Sequence, residues 1–254
     1  MLWKLLKYDF RSMGKSFALI WPAALVLALI NHFTLPYDEG VVETNELLAV
    51  VLIIAFVSVL FAMFVAVMIF VIQRFYKGLL GDEGYLMHTL PVGPGQLVLS
   101  KLICAVVTSV VSLAVMFVAC LLMVPIRWGQ VLRIAFFQDL WQGLMANPDA
   151  MVYLLEFLLV CGLSLILFIT MTYLSMAIGH LFRRRIIMSV VAFIGLDILG
   201  TVYLDFLDRL KILGHILNAD THATFLGFSA MMLPPILLFT AGTIWILGHR
   251  LNLE

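Results

Sequence analysis

The residues able to do chemistry are few, and one polar stretch, GLLGDEGYLMHTLPVGPGQLVLSKL, residues 78–102, holds several of them together. Asp82, Glu83 and His88 supply an acid/base set that could act beside lipid headgroups. Gly78, Gly81 and Gly84 suggest a backbone cradle for a phosphate. A nucleotide loop, however, needs a Lys and a Ser/Thr after its glycines and a strand before them; GLLGDEG lacks that Lys and Ser/Thr, and no strand precedes it. HExxH, which would carry zinc and a general base, is missing, as is the GxSxG nucleophile turn. The six His residues (32, 88, 180, 215, 222 and 249) are scattered over loops and span ends, so they do not converge on one metal. His180, next to Arg183–Arg185, suits a helix end at the headgroups. Cys104, Cys120 and Cys161 lie in apolar runs without CxxC spacing and read as small buried hydrophobes. No cofactor is implied.

One acid lies in an unexpected place. Asp197 falls near the middle of an apolar run and reads as the most buried carboxylate. Intramembrane acids are costly and often functional. It could pair with a polar residue of a neighbouring helix, line a substrate path, or pack as a protonated group. Glu156 lies near the end of another run and reads as solvated.

The elements that hold these residues are dictated by composition. Of 254 residues, 64% are hydrophobic and 12% charged, and mean hydropathy is +1.12. A soluble domain is about half apolar and a quarter charged, so the solvent implied here is a bilayer. Zero net charge gives no reason to expect a nucleic-acid partner. A spanning helix needs about 20 apolar residues. Six such runs are predicted, at 17–35, 47–72, 98–124, 151–179, 186–205 and 227–247. The expected fold is therefore all-α, a single polytopic membrane domain with six transmembrane helices. Alternating short strands, the mark of a barrel, are lacking. Pro22 is expected to bend the first span, and no cleavable leader precedes it.

Lys and Arg set the expected orientation. With the N-terminus in the cytoplasm, that side receives Lys4, Lys7, Arg11, Lys15, Arg74, Lys77, Lys101, Arg183, Arg184, Arg185 and Arg250, against Arg127, Arg133, Arg209 and Lys211 outside. Both termini are thus expected in the cytoplasm, and 73–97 forms the first cytoplasmic loop. Within residues 1–15, Lys4, Lys7, Arg11 and Lys15 fall within about 80° of a helical wheel. Leu2, Leu5, Leu6, Phe10 and Met13 take the opposite side, which predicts a helix lying in the interface. Residues 128–145 suggest another, with Trp128 and Trp141 at belt depth. Residues 206–226 read equally as a short helical hairpin or a plain extracellular loop.

In the 73–97 loop, Gly78 and Gly81 let the chain leave the second helix. Asp82 and Glu83 suit the start of a short helix, from which Tyr85, Leu86, Met87 and Leu90 project. Pro91 ends it, and Pro94-Gly95 makes a turn. Such a helix is a natural anchor for a partner's apolar groove.

With LLGDEGYLMHTLPVGPGQLVLSKL and the start MLWKLLKYDFRSMGKSF, the chain resembles the ABC-2 type transporter permeases of Gram-positive bacteria. The likeness is strongest over 1–20 and 74–105. It implies an elbow helix before the first span, and a coupling helix at about 82–90 that docks on a separate ABC ATPase subunit. Two ATPases and a second permease subunit, alike or different, would complete the assembly in the cell membrane. By that resemblance Asp82 and Glu83 face basic residues of the ATPase, while Tyr85, Leu86 and Met87 fill its groove. His88 departs from the apolar residue expected at its position. The expected function is ATP-driven export of an amphipathic cargo such as a peptide, lipid or drug, with no ATPase site in this chain. The rival readings are a membrane enzyme using Asp82, Glu83 and His88 on lipid or peptide, and a non-transporting anchor or sensor that recruits an ATPase.

Overall fold

The computed structural model describes residues 7, 9–10, 17–34, 46–81, 93–123, 138, 142–143 and 148–249. All regular structure among them is helical. In chain order the helices are α1 (Ile20–Thr34), α2 (Glu46–Phe75), α3 (Pro94–Met123), α4 (Pro148–His180), α5 (Arg185–Arg209), α6 (Ile212–Leu217) and α7 (Thr221–His249). A π-helical turn, Tyr76–Leu80, prolongs α2.

Five helices, α2–α5 and α7, are long and apolar enough to cross a membrane, and α1 is a shorter apolar helix. Their surfaces say which solvent they need. Only 6% of the most apolar stretch of α4, and 6% of that of α5, is buried within the chain. Phe33, Phe61, Ile186 and Leu237 are each more than half exposed. A helix apolar all round must meet either a core or lipid, and so little core makes this a helical membrane protein.

The helices group into two compact units, one formed by residues 3–71 and 104–140, the other mainly by 72–103 and 141–254. In the first unit Ala28, Phe56 and Ala119 form a buried cluster, joined by Leu25, Leu60 and Leu122. Ala28 on α1 and Ala119 on α3 are small residues of the kind that suit helix interfaces in bilayers. Trp21 Nε1 donates to Ser112 Oγ at 3.1 Å, and Phe17 stacks on Trp21 and meets the edge of Phe70. Pro22 falls in the first turn of α1, where a missing N–H costs nothing. It therefore starts the helix instead of bending it.

In the second unit, α4 is flanked by α5 and α7. Leu174, Ala177, Leu196, Phe239 and Ile246 are its buried cluster. The close approach of α4 and α5 depends on Gly179, where a Cβ would lie 2.5 Å from Ser189 N and 2.7 Å from its Cα. Pro234 and Pro235 stand inside α7. Pro235 has no N–H to give the Met231 carbonyl four residues back. The hydroxyl of Tyr203, on α5, donates to that carbonyl at 3.2 Å instead. In a bilayer an unpaired carbonyl has no water to turn to, so this contact is what permits the proline.

Most of 206–226 is helical: the end of α5, all of α6 and the start of α7. Lys211 (φ 59°) provides the left-handed turn between α5 and α6. Thr224 Oγ1 donates to the Ile216 carbonyl at 2.9 Å, closing the end of α6 onto α7. Of the predicted surface helix near the N-terminus, Lys7, Asp9 and Phe10 are described, all helical, with Lys7 and Phe10 exposed. Lys4, Arg11 and Lys15 lie outside the described residues, as does 128–145 apart from Gln138, Gln142 and Gly143.

Candidate functional site

The polar stretch is described at its two ends. Asp82, Glu83, Tyr85, Leu86, Met87, His88 and Leu90 lie outside the described residues. The upstream end differs from the sequence expectation. Gly78 does not release the chain from the helix, because backbone coiling continues through Leu80 as the π-helical turn. The exit comes at Gly81, whose backbone is extended and whose N–H bonds to the Tyr76 carbonyl at 2.7 Å. Gly78 is needed for space, since a Cβ there would lie 3.1 Å from Lys101 Cε. Downstream, Pro94 begins α3 instead of making a turn. Its fixed φ and absent N–H suit a first helical position.

A single α4 residue ties these ends together. The Phe75 ring, last in α2, stacks on Tyr173 at 4.0 Å with an interplanar angle of 19°. The Tyr173 hydroxyl donates to the Lys101 carbonyl, on α3, at 3.1 Å. Phe75, Tyr173 and Lys101 are all buried, each 1% exposed or less. Lys101, expected as a headgroup cation at the point of re-entry, is thus packed inside the unit with its stem against Gly78. The start of α3 also meets the end of α7, with Gly95 beside Ile244 and Gly248 beside Pro94. His180 follows the same pattern. Instead of capping α4 at the surface, it is buried and its ring hydrogen-bonds the Leu80 backbone.

The remaining candidates occupy other places. Asp197 is exposed, midway along α5 with 12 residues on either side (197 − 185 and 209 − 197). Its neighbours Ile194, Ile198 and Leu199 are exposed as well. It is therefore not the most buried carboxylate. Among the described carboxylates Asp9 is buried, and Glu156 is largely enclosed, with its side chain 11% exposed. Both Glu156 oxygens lie within 3.1 Å of His222 Nδ1, and the Tyr153 ring stacks on His222 at 4.2 Å. This cluster was missed in the sequence because its members are 66 residues apart on α4 and α7. The available signal was an acid and an aromatic at i, i+3, on one helix face.

Cys104 is buried as expected, whereas Cys120 and Cys161 are exposed on apolar helices. Among the described residues no three His, Cys, Asp or Glu side chains are grouped to hold a metal ion.

No family model, curated protein or solved structure matches the chain.

Proposed function

We propose that the chain is the membrane-spanning permease subunit of an ABC transporter of the ABC-2 type, moved by separate ATPase subunits and exporting an amphipathic cargo from the cell. One observation carries this reading beyond the resemblance of the polar stretch. Both ends of the segment that would dock on an ATPase are fixed to α4 through Tyr173. A push on residues 82–92 then reaches α4 through packed side chains instead of dying in a slack loop, and packed contacts of this kind carry coupling between sites. Closure of the ATPase pair would drive the helices between inward- and outward-facing arrangements. The chain itself performs no covalent chemistry in this scheme.

The finer features belong to the same proposal. Phe17–Thr34, 18 residues, would span about 27 Å as helix. That is close to the hydrocarbon thickness of about 30 Å, and makes α1 the core of a sixth crossing. Residues 1–15 would form the interfacial elbow, with both termini in the cytoplasm. A second permease subunit would complete the pathway.

The test is co-purification. Full-length tagged chain from its native membranes should bring down an ABC ATPase identifiable by mass spectrometry. Tyr85→Ala with Leu86→Ala should abolish this while membrane insertion is unchanged. Retention of the ATPase at the wild-type level would remove the coupling assignment.

A further inference from the structure

The link between α4 and α5 is a feature the transport reading does not use. It consists of Leu181–Arg184, and its cations continue into Arg185, the first residue of α5. Two short backbone bonds shape it, Leu181 N–H to Ile178 O at 3.1 Å and Phe182 N–H to Gly179 O at 3.2 Å. All residues from Leu181 to Ile187 are exposed. None of the three guanidinium groups makes an ion pair or hydrogen bond among the described residues. Along the two joined helices the nearest acids are Glu156 and Asp197. Asp197 is 12 residues from Arg185, about 18 Å along α5. Among the described residues, three adjacent positive charges are thus left without a counter-ion.

The flanks of this turn are apolar and equally uncovered: Leu181 47%, Phe182 47% and Ile186 79% exposed. A soluble anion would use the arginines and leave those side chains in water. A protein acid patch would face the same mismatch, because Leu181 and Phe182 flank the cations in the turn itself and Ile186 carries the apolar surface onto α5. A phospholipid matches both parts. Its phosphate accepts from guanidinium forks in bidentate fashion, and its acyl chains cover Phe182 and Ile186. The turn also stands where lipid phosphate is found, at the shared end of two helices long enough to cross a bilayer.

We propose that Arg183, Arg184 and Arg185, with Phe182 and Ile186, form a binding site for an anionic phospholipid. The site rests on the membrane-spanning reading of α4 and α5 and not on ATPase coupling. Lipid phosphate held there would fix the shared end of α4 and α5 at headgroup depth. Basic residues near an anionic surface each strengthen attachment about fivefold, so three together amount to roughly a hundredfold.

Native mass spectrometry of the full chain in a non-ionic detergent tests this, titrating phosphatidylglycerol or phosphatidylcholine with identical acyl chains. The wild type should bind phosphatidylglycerol more tightly than phosphatidylcholine. Replacing all three arginines by Gln (R183Q, R184Q, R185Q) should weaken phosphatidylglycerol binding by tens of fold or more and leave phosphatidylcholine binding and the lipid-free melting temperature unchanged. Lys211→Gln, a cation at the opposite end of α5, should have no effect. Equal affinity for the two lipids, a triple variant within twofold of wild type, or an equal loss in Lys211→Gln would each overturn the proposal. So would full displacement of the lipid by millimolar inorganic phosphate, which would make the site a reader of free anions. A triple variant that keeps its lipid but loses its ATPase would assign the turn to protein docking. Failure to bind either lipid would count against the membrane reading itself.

Discussion

The pairing of Tyr203 with the carbonyl left open by Pro235 gives a sharp test of how α5 and α7 pack. Tyr203→Phe keeps the ring and removes only the hydroxyl. The Met231 carbonyl then has neither its helical donor, which Pro235 lacks, nor its substitute. Leaving a buried acceptor unmet costs about 1–3 kcal/mol. The bond is 3.2 Å long, longer than the usual range for O–H···O, so the lower half of that interval is expected. Polar contacts measured inside membrane proteins average about 0.6 kcal/mol and reach about 1.7. The expected loss is therefore about 1 kcal/mol, a factor of roughly five in the folding equilibrium. Pro235→Ala restores an N–H to the same carbonyl. In that background Tyr203→Phe should become almost neutral, and the double-mutant cycle should return most of the 1 kcal/mol as coupling. The assay is unfolding of the purified chain in detergent, followed by a thiol-reactive dye. With Cys120 and Cys161 replaced by Ser, the buried Cys104 becomes the reporter. A Tyr203→Phe effect that is the same with and without Pro235 would refute the reasoning, since the hydroxyl could not then be serving the proline's orphan carbonyl.

Two further outcomes follow from the packing of the second unit. Gly179→Ala would force Ser189 backbone atoms to retreat from 2.5 and 2.7 Å toward ordinary contact. It should cost about 1–3 kcal/mol in the same unfolding assay, whereas Gly162→Ala, with open space around it, should stay within about 0.5 kcal/mol of wild type. Glu156→Gln and His222→Gln should show coupling of about 0.5–1 kcal/mol in a double-mutant cycle, and independent effects would mean the contact at 3.0 Å has no energetic weight.

The helical membrane fold was legible because its cause is local. Each long apolar run must satisfy its own backbone polar groups in lipid, and only a helix does so within one segment. What could not be read were features set by a second segment. Gly78 looked like a helix exit and proved to be room for Lys101, a residue 23 positions away (101 − 78). Lys101 and His180 looked like headgroup residues because residue type alone was visible, whereas both are buried, Lys101 with its stem at Gly78 and His180 at the Leu80 backbone. Glu156 found His222 across 66 residues. Pro94 was misread for a different reason. A proline before glycine signals a turn, and the same fixed φ also starts a helix. The following residues, Gln96 to Ser100, favoured the helix.

Asp197 shows how the reading of a single residue changes once its direction is known. From sequence it could have been a packing group, a paired acid or part of a path. With its side chain exposed at the midpoint of α5, it is not a packing group buried among the described residues. Against bare hydrocarbon its ionised form would cost at least about 2.5 kcal/mol. An acid at this depth therefore calls for a polar group or water supplied from outside these helices. Both remaining readings look outside the described helices, where a second subunit or a passing cargo would stand. The permease proposal contains both. In it, α5 turns one face to a neighbour or to the translocation route, while the packed end of the unit, at Phe75, Tyr173 and Lys101, receives the push.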